Sequence, residues 1–401
     1  MRIIINECKK ILDIRIILLL CMFSILYYMT FTQIYRYPTG GQLTNTKYDI
    51  PFTAELVKEW GPKWKVKDEK QYQEKHQELE RGFAKIIKQD QELSKRGIVD
   101  YEIFNKKYEE LGQKTTLSKQ EKELGKILEN YVFYNDKTSK IFLDIQALEH
   151  IREFQGSEYG VSDKKYKELK ADGFFDGTKL YQKAIEKRVK RDYISLVHEE
   201  VFYILQEDMV TIGGLIMICF FALIIPYQLK QRLRQVIPIL ATTKTGRRIY
   251  QIQLIASALA ALFVGILQMT VYGIIWHLKG LSVFWRCESW GIASNSYWCD
   301  KLSFGTYMLL YMALILLFAI ASIVIIDFIG RTIGNYMGAV AVSIPVCGVM
   351  MFLMRKIYYM LFLITNDQVL AYWELYALAT WLIVMLLFYK IRSKRWKKVD
   401  L

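Results

Sequence analysis

Six charge-free apolar intervals constrain this chain more than any other feature, because stretches of that length and polarity fold as helices in a lipid bilayer. A helix that crosses the hydrocarbon needs roughly 20 mostly apolar residues. Such intervals lie between Arg15 and Arg36, Asp208 and Lys230, Arg248 and Lys279, Lys301 and Asp327, Arg331 and Arg355, and Glu374 and Lys390. The last, LYALATWLIVMLLFY, is short, which places Tyr372, Trp373 and Glu374 at the membrane interface. The expected fold class is an all-α integral membrane protein: six transmembrane helices, with a large helical extracytoplasmic domain between the first and second.

The boundaries follow from these intervals. Residues 1–15 read as an N-terminal cytoplasmic surface helix, since Ile3, Ile4, Ile11, Leu12 and Ile14 stand against Lys9, Lys10 and Arg15. An ordinary basic flank is the alternative. Residues 16–35 form the first span, which lacks a small-residue cleavage site and is expected to stay in the mature protein. Residues 36–207 form the extracytoplasmic domain. Residues 208–401 hold the other five spans, a cytoplasmic segment at 230–248 and a basic C-terminal tail.

Short-loop charge sets the orientation, because long domains cross largely regardless of charge. With the N-terminus inside, the inner side collects 17 Lys and Arg, from Arg2 to Lys398, and the outer short loops hold 5: Lys279, Arg286, Lys301, Arg355 and Lys356. Both termini are therefore expected in the cytoplasm of a multi-pass cell-membrane protein. Most of the net charge of +14 resides in the membrane half, since residues 36–205 carry 32 basic against 30 acidic residues. That distribution fits membrane lipid as a partner and excludes a basic face for nucleic acid.

The insert reads as helices throughout. Ser118 and Glu121 offer a capping box, and Gly97, Gly112 and Gly156 stand where helices stop. Leu180, Ala184, Ile185, Val189, Tyr193, Ile194, Val197 and Val201 recur at helical spacing, which predicts one helix running straight into the second span. Near-balanced charge predicts that residues 37–205 fold alone as a soluble helical domain.

The chemistry-bearing residues are sparse. None of the six cysteines forms a CxxC pair, and the four histidines are scattered, so no metal site is signalled. Cys287 and Cys299 fall in one outer loop, where a disulfide is one reading and two reduced thiols the other. Gly125 and Lys126, the only Gly-Lys pair, lack the rest of a phosphate loop, so no cofactor site is expected in this chain.

The informative stretch is QLKQRLRQVIPILATTKTGRRIYQIQ, between the second and third spans. Pro238 breaks the helix, an apolar patch containing Ile237, Ile239 and Leu240 follows, and Thr243 and Lys244 precede a turn at Gly246. Such an amphipathic element between two spans suits docking in a partner's groove, or gripping lipid phosphates. Leu240, Ala241, Thr242, Thr243, Lys244, Gly246 and Arg247 resemble the coupling helix of the membrane subunit of type 2 ABC transporters, the ABC-2 permease family. The resemblance covers this segment closely and the remainder by topology, including a hydrophobic outer piece, IYYMLFLIT at 357–365, too short to span.

The resemblance implies a permease subunit, not itself an enzyme, served by a separate ABC ATPase that binds ATP and Mg. It implies a second permease subunit, identical or not, and export of a hydrophobic or peptide-like substrate. Asp327 and Arg331, with Gly330 in a short inner turn, are candidates for a second ATPase contact, a plain solvated turn being the alternative. Glu374 is read as a rim residue, and Ala256, Ala258, Ala260, Ala261 and Gly265 as helix-packing positions. A membrane receptor whose outer domain binds a peptide or envelope component is the competing class. A membrane enzyme is weaker, because no catalytic spacing emerges.

Overall fold

Apolar length and local capping set six long helices in the computed structural model, which describes residues 2–37, 46–65, 68–157, 167, 170, 171, 173, 176–189, 193–234, 249–289, 296, 297, 299, 301–365 and 367–398. The first candidate span, Ile14–Phe31, starts where Asp13 accepts the Arg15 N–H, and stops at Thr32. The others are Glu199–Leu233, Ile249–Leu278, Phe304–Thr332, Tyr336–Tyr358 and Trp373–Lys394. Their order and number match the six apolar intervals.

Burial separates a centre from a periphery. The most apolar window of the second span is 78% buried, whereas those of the first and sixth are 17% buried. Gly213, Gly214, Gly265 and Gly330 allow neighbours close to the helix backbones; a Cβ on Gly330 would meet Gln228 Cβ at 2.8 Å. Among the described residues, the second and fourth spans pack against each other more extensively than any other helix pair. At 35 residues the second span helix is about 50 Å long, more than a bilayer core requires, so it projects toward the insert.

The insert departs from an all-helical reading at one point. Lys63–Lys65 (β1) pairs antiparallel with Tyr193–Ser195 (β2), with Trp64 opposite Ile194. This strand interrupts the helix predicted to run into the second span: Lys179–Val189 ends first, and a new helix starts at Glu199 with His198 as its cap. Aromatic and β-branched residues at 193 and 194 satisfy their backbone sideways on β1 rather than along a helix. The Ser118–Glu121 capping box is present, and Gly97 takes the left-handed conformation just beyond a helix.

Two cores divide the insert. Phe83, Phe104, Phe142, Ile87 and Ile145 pack together far along the chain from the spans. Ile50, Phe52, Leu56 and Trp64 belong instead to the core that continues into the spans. The insert is thus seated on the span ends. Glu288, in the loop after the third span, accepts Lys63 Nζ at 2.7 Å and the Tyr193 hydroxyl at 2.9 Å, and its carbonyl accepts Ser195 Oγ at 3.0 Å.

The described residues of the neighbouring loops pack near these contacts. Cys287 and Cys299 are not joined; Cys287 is buried and its thiol donates to the Leu196 carbonyl at 3.6 Å. After Tyr358 the chain turns through Met360 and Phe362, both with positive φ, into Leu363–Ile364 (β4), which pairs with Ser296–Tyr297 (β3). The segment is therefore a turn and strand, too short to span. Glu374 is not at a rim: it is buried, and Oε1 accepts the Phe362 N–H at 3.0 Å.

Candidate functional site

Residues 235–248, which include the coupling candidates Ile237, Ile239, Leu240, Thr242, Thr243, Lys244, Gly246 and Arg247, lie outside the described residues. Both flanks are described, and each is anchored by a buried polar chain. Leu233 ends the second span and Ile249 begins the third. At this end, which also carries both termini, the polar chain links four helices.

It starts on the N-terminal helix, Arg2–Ile11, at Glu7. Glu7 is only 5% exposed and accepts Lys10 Nζ at 2.6 Å, Gln231 Nε2 at 3.0 Å and the Tyr227 hydroxyl. Burial pushes this carboxyl up, yet those three donors and the Lys10 charge outweigh burial and hold it below its ordinary value. Gln231 Oε1 in turn accepts Gln253 Nε2 at 2.6 Å, and Gln253 Oε1 accepts Arg331 Nη2 at 2.7 Å. Arg331 Nε donates to Asp327 Oδ2 at 2.8 Å, and Asp327 Oδ1 accepts Gln228 Nε2 at 2.5 Å.

The arrangement closes on itself. Gln228 and Gln231 are both on the second span, Gln253 on the third, and Asp327 with Arg331 on the fourth. Arg331 also lies over the ring of Tyr250, the second residue of the third-span helix, at 5.0 Å. Arg232 donates to the Arg331 carbonyl at 3.0 Å, so the last turn of the fourth span is tied to the last turn of the second. Asp327 is fully buried and Arg331 is 7% exposed. A buried ion pair persists only when further hydrogen bonds satisfy both partners, and Gln228 on Asp327 and Gln253 on Arg331 supply them.

The expected inner turn at Asp327 and Arg331 is therefore corrected: both belong to the final turns of the fourth span helix, with side chains inside the bundle. Their four-residue spacing puts them on one helix face, which the short interval between Asp327 and Arg331 had disguised as a loop. Chemically the cluster holds helices in register. Among the described residues no group of three or more His, Cys, Asp or Glu is placed to bind a metal ion.

The profile of the ABC-2 family transporter proteins matches residues 69–391, which covers the insert from residue 69 onward, the second to fifth spans, nearly all of the sixth and the whole polar cluster except Glu7. The chain belongs to this family. No curated protein and no solved structure matches it significantly. As an ABC-2 permease it is the transmembrane subunit of a transporter, and membership implies an ABC ATPase as its partner.

In this permease the polar cluster was only partly visible from sequence. Asp327 and Arg331 stand out as charges, whereas Glu7 reads as part of a surface helix and Gln228, Gln231 and Gln253 carry no charge to mark them. The usable signal was three amides at the ends of otherwise apolar helices, where an unpaired polar group is costly.

Proposed function

We propose that this permease subunit exports a hydrophobic or peptide-like substrate, and that residues 235–248 are its coupling element to the separate ATPase, which binds ATP and Mg. Both termini and the coupling segment would face the cytoplasm and the insert the outside, in line with the 17-to-5 distribution of short-loop basic residues. A second permease subunit would complete the pathway, since six spans make half of a usual one in this family.

The observation that carries this reading is the double anchoring of the segment's flanks. Gln231 at one flank and Gln253 at the other share a hydrogen bond of 2.6 Å, and Arg331 and Glu7 extend it to the fourth span and the N-terminal helix. A push on the segment would then move four helices as a body rather than fray two helix ends. Thermodynamically, ATP-driven closure of the ATPases shifts the bundle only through a segment mechanically tied to it.

The test is substitution of Ile239 and Leu240 by Asp. A buried aliphatic side chain is worth roughly 1.5–3 kcal/mol, whereas an exposed ion pair is worth under about 1. The double substitution is expected to abolish co-purification with the partner ATPase and substrate-stimulated ATP hydrolysis. Lys244→Ala and Arg247→Ala are expected to weaken both only modestly. A correctly inserted Ile239→Asp/Leu240→Asp protein that still binds and drives its ATPase overturns the assignment.

A further inference from the structure

A cavity of about 570 Å³ opens beside the polar cluster, between the N-terminal helix, the second span and the first turn of the third. Ile3, Ile16, Ile249 and Ile252 form its apolar wall, and Lys10, Lys230 and Arg234 its basic one. Two carboxylates share the cavity, and both already have hydrogen-bond partners. Glu7 is held by Lys10, Tyr227 and Gln231, and Asp13 caps the first span by accepting the Arg15 N–H at 3.0 Å. Lys230 and Arg234 are exposed and line the cavity.

A second, almost wholly apolar groove of about 500 Å³ runs between the second and fifth spans, past Phe221, Ile225, Val340 and Ile344. The two adjoin. Pro226 lines both, and Tyr336 of the cavity stands one helical turn from Val340 of the groove. From Pro226 to Ile218 the groove follows about 12 Å of helix, which is commensurate with one leaflet of a hydrocarbon core about 30 Å thick.

We propose that this joined pocket binds one anionic phospholipid, its phosphate on Lys230 and Arg234 and an acyl chain along the groove of Ile225, Val340 and Ile344. Charge and shape each exclude an alternative. A neutral lipid leaves two cations without a counter-charge in a half-enclosed site, and a free phosphate leaves the apolar groove unused. The lipid would wedge between the N-terminal helix and the second span, next to the flank that carries the coupling segment. Placement in the cytoplasmic leaflet rests on the orientation proposed above; the pocket itself does not.

The experiment uses the full-length protein in detergent micelles, titrated with phosphatidylglycerol, with phosphatidylcholine of the same acyl chains, or with inorganic phosphate, and read by native mass spectrometry. Phosphatidylglycerol is expected to bind roughly 30-fold tighter than phosphatidylcholine, the fold-change for about 1 kcal/mol at each of the two basic residues. Lys230→Ala/Arg234→Ala is expected to erase that preference. Val340→Trp/Ile344→Trp, on a face exposed enough to accept the rings, is expected to weaken phosphatidylglycerol while both cations remain. Arg355→Ala/Lys356→Ala, at the opposite end of the fifth span, is the control and is expected to change nothing.

Equal binding of the two lipids overturns the proposal, as does a Lys230→Ala/Arg234→Ala variant with unchanged preference. Inorganic phosphate that competes as well as the lipid, or a blocked groove without effect, overturns it too, by showing an anion site without an acyl chain. None of these readouts needs an ATPase or transport, so a negative result leaves the permease reading standing.

Discussion

Arg331 on the fourth span donates to Gln253 on the third at 2.7 Å, across 78 residues of sequence, and this bond closes the polar chain that begins at Glu7. The Asp327 carboxylate, one turn before Arg331, neutralises the same guanidinium at 2.8 Å. Removing either partner alone leaves an uncompensated buried charge.

Asp327→Ala is therefore expected to cost about 3–5 kcal/mol, while Asp327→Leu/Arg331→Met, which removes both charges, recovers most of the loss. Thermal unfolding of the purified protein in micelles, followed by tryptophan fluorescence, measures both. If the double variant is as unstable as the single, the pair is not what the cluster depends on.

Gly330 and Gly273 make a matched test of close packing. A Cβ on Gly330 would meet Gln228 Cβ at 2.8 Å and Ile225 Cα at 3.5 Å, whereas nothing lies within 4 Å of a Cβ on Gly273. Gly330→Ala is expected to cost about 1–3 kcal/mol by forcing the second and fourth spans apart. Gly273→Ala is expected to be neutral or to gain up to about 1 kcal/mol from helix propensity. The two melting midpoints, compared with wild type, decide it.

Stability should also depend on pH through Asp144 in the insert. Burial raises this carboxyl from 3.8 to about 7, with Lys140 opposing and Glu55 and Asp49 adding to the rise. Because the folded pKa lies above the unfolded one, the stabilising contribution is full below 3.8 and is lost as pH rises through about 7. The protein is expected to melt higher near pH 5.5 than near pH 8. Asp144→Asn should narrow that difference without abolishing it, since Asp49 is also raised to about 7, by burial and by Glu200. A pH dependence that the substitution leaves intact would point to other groups.

Excision of residues 37–205 should yield a domain that is only half protected. The distal core of Phe83, Phe104 and Phe142 is self-contained, whereas Ile50, Phe52, Leu56 and Trp64 lose partners that belong to the spans. Amide hydrogen exchange is expected to be slow over 83–145 and fast over 46–65. Uniform protection would show that the insert is an independent unit, as its balanced charge alone implies.

The sequence by itself determined the six spans, because a run of some 20 apolar residues is a local property that no neighbour can revise. It also determined the Ser118 capping box and the family, the latter through contiguous residues between Leu240 and Arg247. Tertiary structure decided whatever depended on which distant residues meet. Tyr193 and Ile194 fit a helical period as well as a strand, and only the arrival of Lys63–Lys65 made them β2. Asp327, Arg331 and Glu374 looked like surface charges because charge is normally solvated. They are buried because Gln228, Gln253 and the Phe362 N–H, from other parts of the chain, satisfy them. A buried polar group is legible only with its partners, and the partners are set by packing rather than by sequence neighbourhood.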